Sequence, residues 1–286
     1  MKLGIVFANT AKWVYESAGI LAQTCEELDF DSVWTVEHVV LPKDFKSPYP
    51  YTASGKMPGG DKAIIPDPII WLAYLASLTT KLKLATGIVI LPQRNPLMFA
   101  KEIATLDLMS KGRVILGVGI GWLKEEFEAL DVEFSTRAMR TEETIGALRA
   151  LWTQEIANYH GELINFDNMR SNPKPYQKNG VPIIIGGHSL SAAKRAGKIG
   201  DGFFPAIQDP ETLYELVKVM KQSAEEAGRD PSEIEITFPA SFDEKVLERY
   251  VELGVSRVVV PPVGTGKEEL AEFLGNCKDQ VLKITG

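Results

Sequence analysis

The 286-residue chain holds only two cysteines, Cys25 and Cys277, and three histidines, His38, His160 and His188. Each cysteine sits in a helix-like pattern, far from the other. That excludes a disulfide framework and reads as two reduced thiols of a cytoplasmic protein. The scattered histidines and cysteines have no metal-ligand spacing, so no metal site is expected. Positive charge is also short. The 31 Lys and Arg against 38 Asp and Glu leave a net charge of −7. Nucleic acid would need a basic stripe, so it is not an expected partner, although a few local donors can hold a small anion. Apolar runs are strand length and broken by Gly or Pro, which excludes an expected membrane span. Met1 and Lys2 lead straight into "LGIVFA", without a signal-peptide core. Neither a P-loop nor a nucleophile elbow occurs.

What is present is an alternation. "KLGIVFA" (2–8), "DSVWTV" (31–36), "KLKLATGIVIL" (81–91), "RVILGVG" (113–119), "VPIIIGG" (181–187), "DGFFPA" (201–206), "IEITFPA" (234–240) and "SRVVVPP" (256–262) read as strands. Helical patterns follow them near 14–28, 68–80, 97–109, 123–130 with 136–153, 189–199, 210–227, 243–253 and 267–281. The strands are continuous Val- and Ile-rich runs, as in parallel strands buried on both faces. Asp67-Pro68, Asp209-Pro210 and Asp230-Pro231 pair a capping acceptor with a pre-set φ. Eight βα steps in this length predict an α/β fold, one TIM (β/α)8 barrel domain over residues 1–286.

Two stretches interrupt the alternation. Residues 39–66 are too long and too rich in Pro and Gly for an ordinary βα loop. They follow the second strand, so in a barrel they lie over the C-terminal face and read as an active-site lid. Residues 154–180 form the second insert, in which "YHGELINF" has the pattern of a small hairpin.

"GRVILGVGIGW" (112–122) places Gly117, Gly119 and Gly121 at alternate positions. A dinucleotide fingerprint needs G-x-G-x-x-G opening a helix in the first βαβ unit, with an acidic residue beyond it. Both spacing and location differ here. Glycines on one side of a strand top instead clear a wall for a flat ring, because a backbone without side chains permits close approach. The turn Gly186, Gly187, His188, Ser189 joins a strand to a helix. Its free backbone N–H groups read as an anion site or else an ordinary helix cap. Lys194, Arg195 and Lys198 close behind could add charge, although Lys194 and Lys198 fit a solvated helix face equally well.

The segment "RNPLMFAKEIATLDLMSKGRVILGVGIGW" (94–122) resembles the signature of the luciferase-like monooxygenase superfamily. "FDSVWTVEHV" (30–39), "LATGIVILPQRNP" (84–96), "PKPYQ" (173–177) and "IIIGGHSLSAAKRAGKIGDGFFP" (183–205) match it in family order. Glu37-His38, "TGI" and "IGGHS" look most like its branch of deazaflavin (coenzyme F420)-dependent oxidoreductases. The resemblance implies a homodimeric, luciferase-like barrel holding F420, or alternatively FMN, at its strand ends. It implies hydride transfer between F420 and a small-molecule organic substrate. The alternatives are an FMN-dependent monooxygenase using reduced flavin and oxygen, or a flavin-binding protein without catalysis.

By the same resemblance, His38 stands near the cofactor ring as an acid/base, with Glu37 beside it, or else His38 holds the long loop structurally. Thr86, Gly87 and Ile88 back the ring at a bulge with a non-proline cis peptide at Gly87-Ile88. The phosphate of the cofactor tail falls at Gly186–Ser189. Asn95 either touches the ligand or caps the next helix. Asp107 and Arg113 are expected to share a buried or interface salt bridge, and His160 to lie on the surface without a partner. Glucose-6-phosphate dehydrogenases of the superfamily carry a glutamate where this chain has Trp122. That departure argues against sugar-phosphate oxidation and makes Trp122 the wall of a flatter, more apolar substrate pocket. Glu125 and Glu126 follow in a helical phase expected to point elsewhere.

Overall fold

The Val- and Ile-rich runs become the staves of a barrel because each can be buried on both faces without leaving a polar side chain unpaired. The structure is a computed structural model that describes all residues except Ala11, Gln208, Thr265 and Gly286. In chain order the elements are β1 (Lys2–Val6), α1 (Glu16–Glu27), β2 (Ser32–Thr35), α2 (Pro68–Leu78), β3 (Lys83–Thr86), β4 (Val89–Ile90), α3 (Pro96–Met109) and β5 (Val114–Gly119). Then come α4 (Lys124–Ala129), α5 (Arg137–Thr153), β6 (Ala157–His160), β7 (Asn165–Met169), β8 (Ile183–Gly186), α6 (Leu190–Ile199), β9 (Gly202–Phe204) and α7 (Pro210–Glu226). β10 (Glu235–Pro239), α8 (Glu244–Leu253), β11 (Arg257–Val260) and α9 (Lys267–Thr285) complete the chain.

The strands pair in the order β3-β2-β1-β11-β10-β9-β8-β5, and β3 also pairs with β5, which closes the ring. Every pairing within it is parallel, as the βα connections require. The run 81–91 is not one strand. It breaks at Gly87–Ile88, whose peptide is cis, and resumes as β4 beside β5. Counting β3 and β4 as one interrupted stave gives the eightfold barrel.

Val6, Trp34, Ala85, Ile115, Ile184, Phe204 and Val259 from seven staves fill the barrel interior. Beneath them Arg257, 1% exposed, donates from Nε to Asp31 (2.7 Å) and from Nη1 to Glu235 (3.1 Å). Its guanidinium also lies 5.3 Å from the Trp34 ring centroid. A buried cation persists only with such partners, so this end of the barrel is a polar plug.

The proline caps act as read. Asp67 Oδ1 accepts from the Ile69 and Ile70 N–H groups, and Asp209 caps Thr212. The second insert does contain a hairpin, β6 against β7, whose turn is held by Glu143 accepting from the N–H groups of Glu162, Leu163 and Ile164. His160 has a partner after all, Asp167 at 3.1 Å on the exposed hairpin. Asp107 and Arg113 are both buried but do not pair. Asp107 accepts from Gln177, while Arg113 donates to Thr79 and to the carbonyls of Ala76, Leu82 and Ser110. These bonds tie the second insert and the α2–β3 connection to the bottom of the barrel.

Candidate active site

The residues singled out in the sequence gather where the strands end, at the mouth of the barrel. The two that close the β2 segment point to different tasks. Glu37, 5% exposed, accepts from the Ile90 N–H (2.5 Å) and from Arg94 Nε (3.0 Å), and it pairs with Arg94 Nη2 as well. Burial pushes its carboxyl up, outweighing the guanidinium that pulls it down. Arg94 reaches on to Asp67 at 3.1 Å. Glu37 is thereby committed to joining β2, β4 and α2, and its expected catalytic role does not fit that commitment.

His38 is free of that network. Its Nδ1 lies 2.9 Å from Glu126 Oε2, and the other oxygen of Glu126 accepts from the N–H groups of Val39 (2.6 Å) and Val40 (3.2 Å). Glu126 is 0% exposed. Contrary to its expected direction, α4 turns this carboxylate into the site. Its neighbour Glu125 takes a second grip on the loop, accepting from the Ser47 hydroxyl (2.6 Å) and the N–H groups of Lys46 (2.7 Å) and Ser47 (3.1 Å). Those bonds hold its carboxyl down at about 2. At the ends of the lid, Asn9 is fully buried and donates to the carbonyls of Val36 (2.9 Å) and Pro66 (3.0 Å). The long loop is therefore clamped at its base and latched twice along its length.

Aromatic rings cover the mouth. Trp122 meets the rings of His38 (5.6 Å), Phe45 (5.6 Å) and Tyr49 (5.3 Å) edge-on. Tyr49 touches Tyr51, and Tyr51 touches His188 at 5.1 Å. A string of rings thus crosses from β2 to the turn after β8, and three of its members come from the lid.

The glycines behave differently from their expected role. Gly117 and Gly119 are buried, and what they clear is room for the protein itself. A β-carbon on Gly117 would stand 1.9 Å from the Thr86 carbonyl oxygen, and one on Gly119 2.7 Å from Ile88 Cδ1. On Gly186 it would meet Ile88 Cγ2 at 2.6 Å, and on Gly121, whose φ is +78°, Phe127 at 2.6 Å. The three glycines Gly117, Gly119 and Gly186 therefore seat the Ile88 bulge. The half-buried pair Gly87 and Ile88, not the glycine strand, forms the wall presented at the mouth. Thr86 is 1% exposed and spends its hydroxyl on the Gly117 carbonyl, so it supports the bulge.

In the turn after β8, Gly187 has φ +118°, a conformation suited to glycine. Ser189 caps α6 by accepting from the Ala192 N–H (3.2 Å). His188 Nδ1 is buried with no hydrogen-bond partner, and burial pushes its pKa down. Arg195 is taken by Glu142. Asn95 follows its capping alternative, accepting from the Leu97 and Met98 N–H groups at 3.0 and 3.2 Å. Further unpartnered buried atoms collect around the first half of α5: Arg137 Nε, Arg140 Nε, Thr144 Oγ1 and both polar atoms of the Gln93 carboxamide, in a turn that packs against α5. Buried polar atoms without partners are costly in a closed fold and normal where a polar ligand seats.

Glu125, Glu126, Asn9 and the lid aromatics were missed as site residues. The length and the Pro- and Gly-rich composition of the lid pointed to the loop as a whole, and nothing in the sequence pointed to Asn9.

The barrel agrees with relationships found elsewhere. The sequence profile of the luciferase-like monooxygenases matches residues 1–242, and the chain belongs to that family. An uncharacterised protein of Mycobacterium tuberculosis is 30% identical over 275 residues, 96% of each chain. The F420-dependent glucose-6-phosphate dehydrogenase of Amycolatopsis mediterranei is 30% identical over 79% of this chain and 66% of its own. The FMNH2-dependent dimethylsulfone monooxygenase of Pseudomonas putida is 36% identical over 54% of this chain and 43% of its own. Among solved structures, the monooxygenase RslO1 of Streptomyces bottropensis superposes with a TM-score of 0.77 over 100% of both chains at 22% identity. The F420-dependent tetrahydromethanopterin reductase of Methanopyrus kandleri does so with a TM-score of 0.70 over 96% of this chain and 97% of its own, at 19% identity. Relatives in the family thus include F420-dependent and FMN-dependent enzymes.

Proposed function

We propose that this protein is an oxidoreductase that passes a hydride between coenzyme F420 and a small organic substrate. The observation that carries the reading is His38, held by Glu126 just beyond β2, whose neighbouring stave β3 leads into the half-buried Gly87–Ile88 bulge. The bulge offers a flat apolar wall for a ring. The Gly186–Ser189 turn, with unpartnered His188 Nδ1, and the Arg137 and Arg140 side chains suit the anionic tail. When bound, the deazaflavin supplies the redox centre, and the protein supplies orientation and proton handling.

In this reading His38 carries a proton to or from the substrate at Nε2. Trp122, Phe45 and Tyr49 exclude water and select a flat, uncharged substrate. No carboxylate stands at position 122, which argues against sugar-phosphate oxidation. Two unpaired, buried cysteines fit a reducing cytoplasm, and no helix among the described residues is long and apolar enough to cross a membrane. Ile70 and Tyr74 of α2 with Leu97 and Met98 of the adjacent α3 leave apolar side chains exposed, which supports a homodimer.

The test is turnover of F420, in both redox states, against a panel of enones, nitroarenes and secondary alcohols. Substrate-dependent change in the deazaflavin absorbance is expected. The same panel with FMNH2 and oxygen tests the monooxygenase alternative, which the dimethylsulfone monooxygenase relative keeps open. Oxygen consumption there with no F420 turnover would replace the present reading, and no turnover in either arm would favour a binding protein.

A further inference from the structure

We propose that Glu126 is the positioning residue of His38. One carboxylate oxygen fixes the ring as its Nδ1–H tautomer, and the other holds the first residues of the lid, so the free Nε2 is presented only while the lid is seated. This rests on His38 being the proton carrier. The test below reads the tautomer without cofactor or substrate, so it stands or fails separately from the F420 reading.

A fully buried carboxylate persists only if hydrogen-bond donors surround it. Glu126 has three from one short segment: His38 Nδ1 on Oε2, and the N–H groups of Val39 and Val40 on Oε1. No Lys or Arg among the described residues pairs with it. With Oε1 accepting from two backbone N–H groups and Oε2 facing the ring, the carboxylate is assigned as acceptor and the shared proton to Nδ1. No described residue bonds Nε2, which is left as the acceptor in the neutral ring. The partner of one ring nitrogen sets the tautomer that the other presents.

The other groups around His38 do not compete for this role. Trp122, edge-on to the ring, is uncharged. Glu37, one residue back, is tied to Arg94, and Glu125 on α4 is turned to Ser47. Tyr49 reaches the site from the lid, and burial raises its pKa, so its hydroxyl stays neutral.

The coupling to the lid follows from the covalent chain. His38, Val39 and Val40 are consecutive and grip one carboxylate, so displacing the start of the lid carries the ring off Glu126. Glu125 latches the lid seven residues further on, at Lys46–Ser47, without touching His38. The two adjacent glutamates therefore do separable work.

With only three histidines, imidazole 15N spectra of labelled protein are resolved by the His160→Gln and His188→Gln variants. In the wild type with the ring neutral, His38 is expected as the Nδ1–H tautomer. In Glu126→Leu the proton should move to Nε2, and the Val39 and Val40 amides should lose about tenfold or more of their exchange protection, as for one lost charge-assisted bond. Glu125→Gln should unprotect Lys46 and Ser47 while leaving the His38 tautomer unchanged. If Glu126→Leu does not fold, the wild-type tautomer and the loss of Val39 and Val40 protection in His38→Gln decide the question. An Nε2–H tautomer in the wild type, or a tautomer and protection indifferent to these changes, overturns the proposal.

Discussion

The Cδ1 methyl of Ile88 fills the space that a side chain on Gly119 would need, standing 2.7 Å from the β-carbon position. The site wall therefore depends on glycines whose missing side chains make room for Ile88. Gly119→Ala should push Ile88 out of its seat and cost about 1–3 kcal/mol of stability, the usual penalty of overpacking. Adding Ile88→Val should recover part of the loss. Urea denaturation of the two single variants and the double variant checks this, since strictly additive losses would mean that the residues are not in contact.

Glu37 ties β4 to Arg94. Arg94→Met leaves its carboxylate buried without its cation, and a loss of about 3–5 kcal/mol is expected. Glu37→Gln with Arg94→Met should be more stable than Arg94→Met alone. Chemical denaturation decides between this and a free catalytic carboxyl, for which Arg94→Met would cost little.

The lid latch should weaken in acid. The Ser47 hydroxyl and the N–H groups of Lys46 and Ser47 depress the folded pKa of Glu125 to about 2, below its ordinary 4.5. A depressed carboxyl stabilises fully above the unfolded value, and its contribution fades as pH falls from 4.5 towards 2. Amide exchange at Lys46 and Ser47, corrected for intrinsic rate, should rise across that window in the wild type. In Glu125→Gln it should be raised already at pH 6 and change little on acidification.

Trp122 joins β5 to the lid through edge-on contacts worth about 0.5–1.5 kcal/mol each. Trp122→Ala should expose residues 39–66, so that limited proteolysis cuts there about tenfold faster or more while cleavage elsewhere is unchanged. Unchanged cleavage of the loop would show that the Asn9 clamp and the two glutamate latches hold it without the ring contacts.

The staves were legible in the sequence because a strand buried on both faces is apolar throughout, as in "RVILGVG" and "SRVVVPP". The lid was legible from its length and its prolines. Glu126 was not. The six residues of α4 span less than two turns, too few for periodicity to say which face a side chain takes. The alternate glycines showed that one side of β5 was bare, but what fills it arrives from β3 and β4, some thirty residues away in sequence. Glu37 and His38 are adjacent, just beyond β2, yet they turn to different partners, Arg94 and Glu126.

The central claim is that this mouth is built for the deazaflavin, and direct titration of the purified protein with oxidised F420 and with FMN tests it most directly. F420 is expected to bind at least about tenfold more tightly than FMN, a difference of about 1.4 kcal/mol, and Gly187→Glu should abolish that binding. Tighter binding of FMN, or F420 affinity untouched by Gly187→Glu, would contradict it.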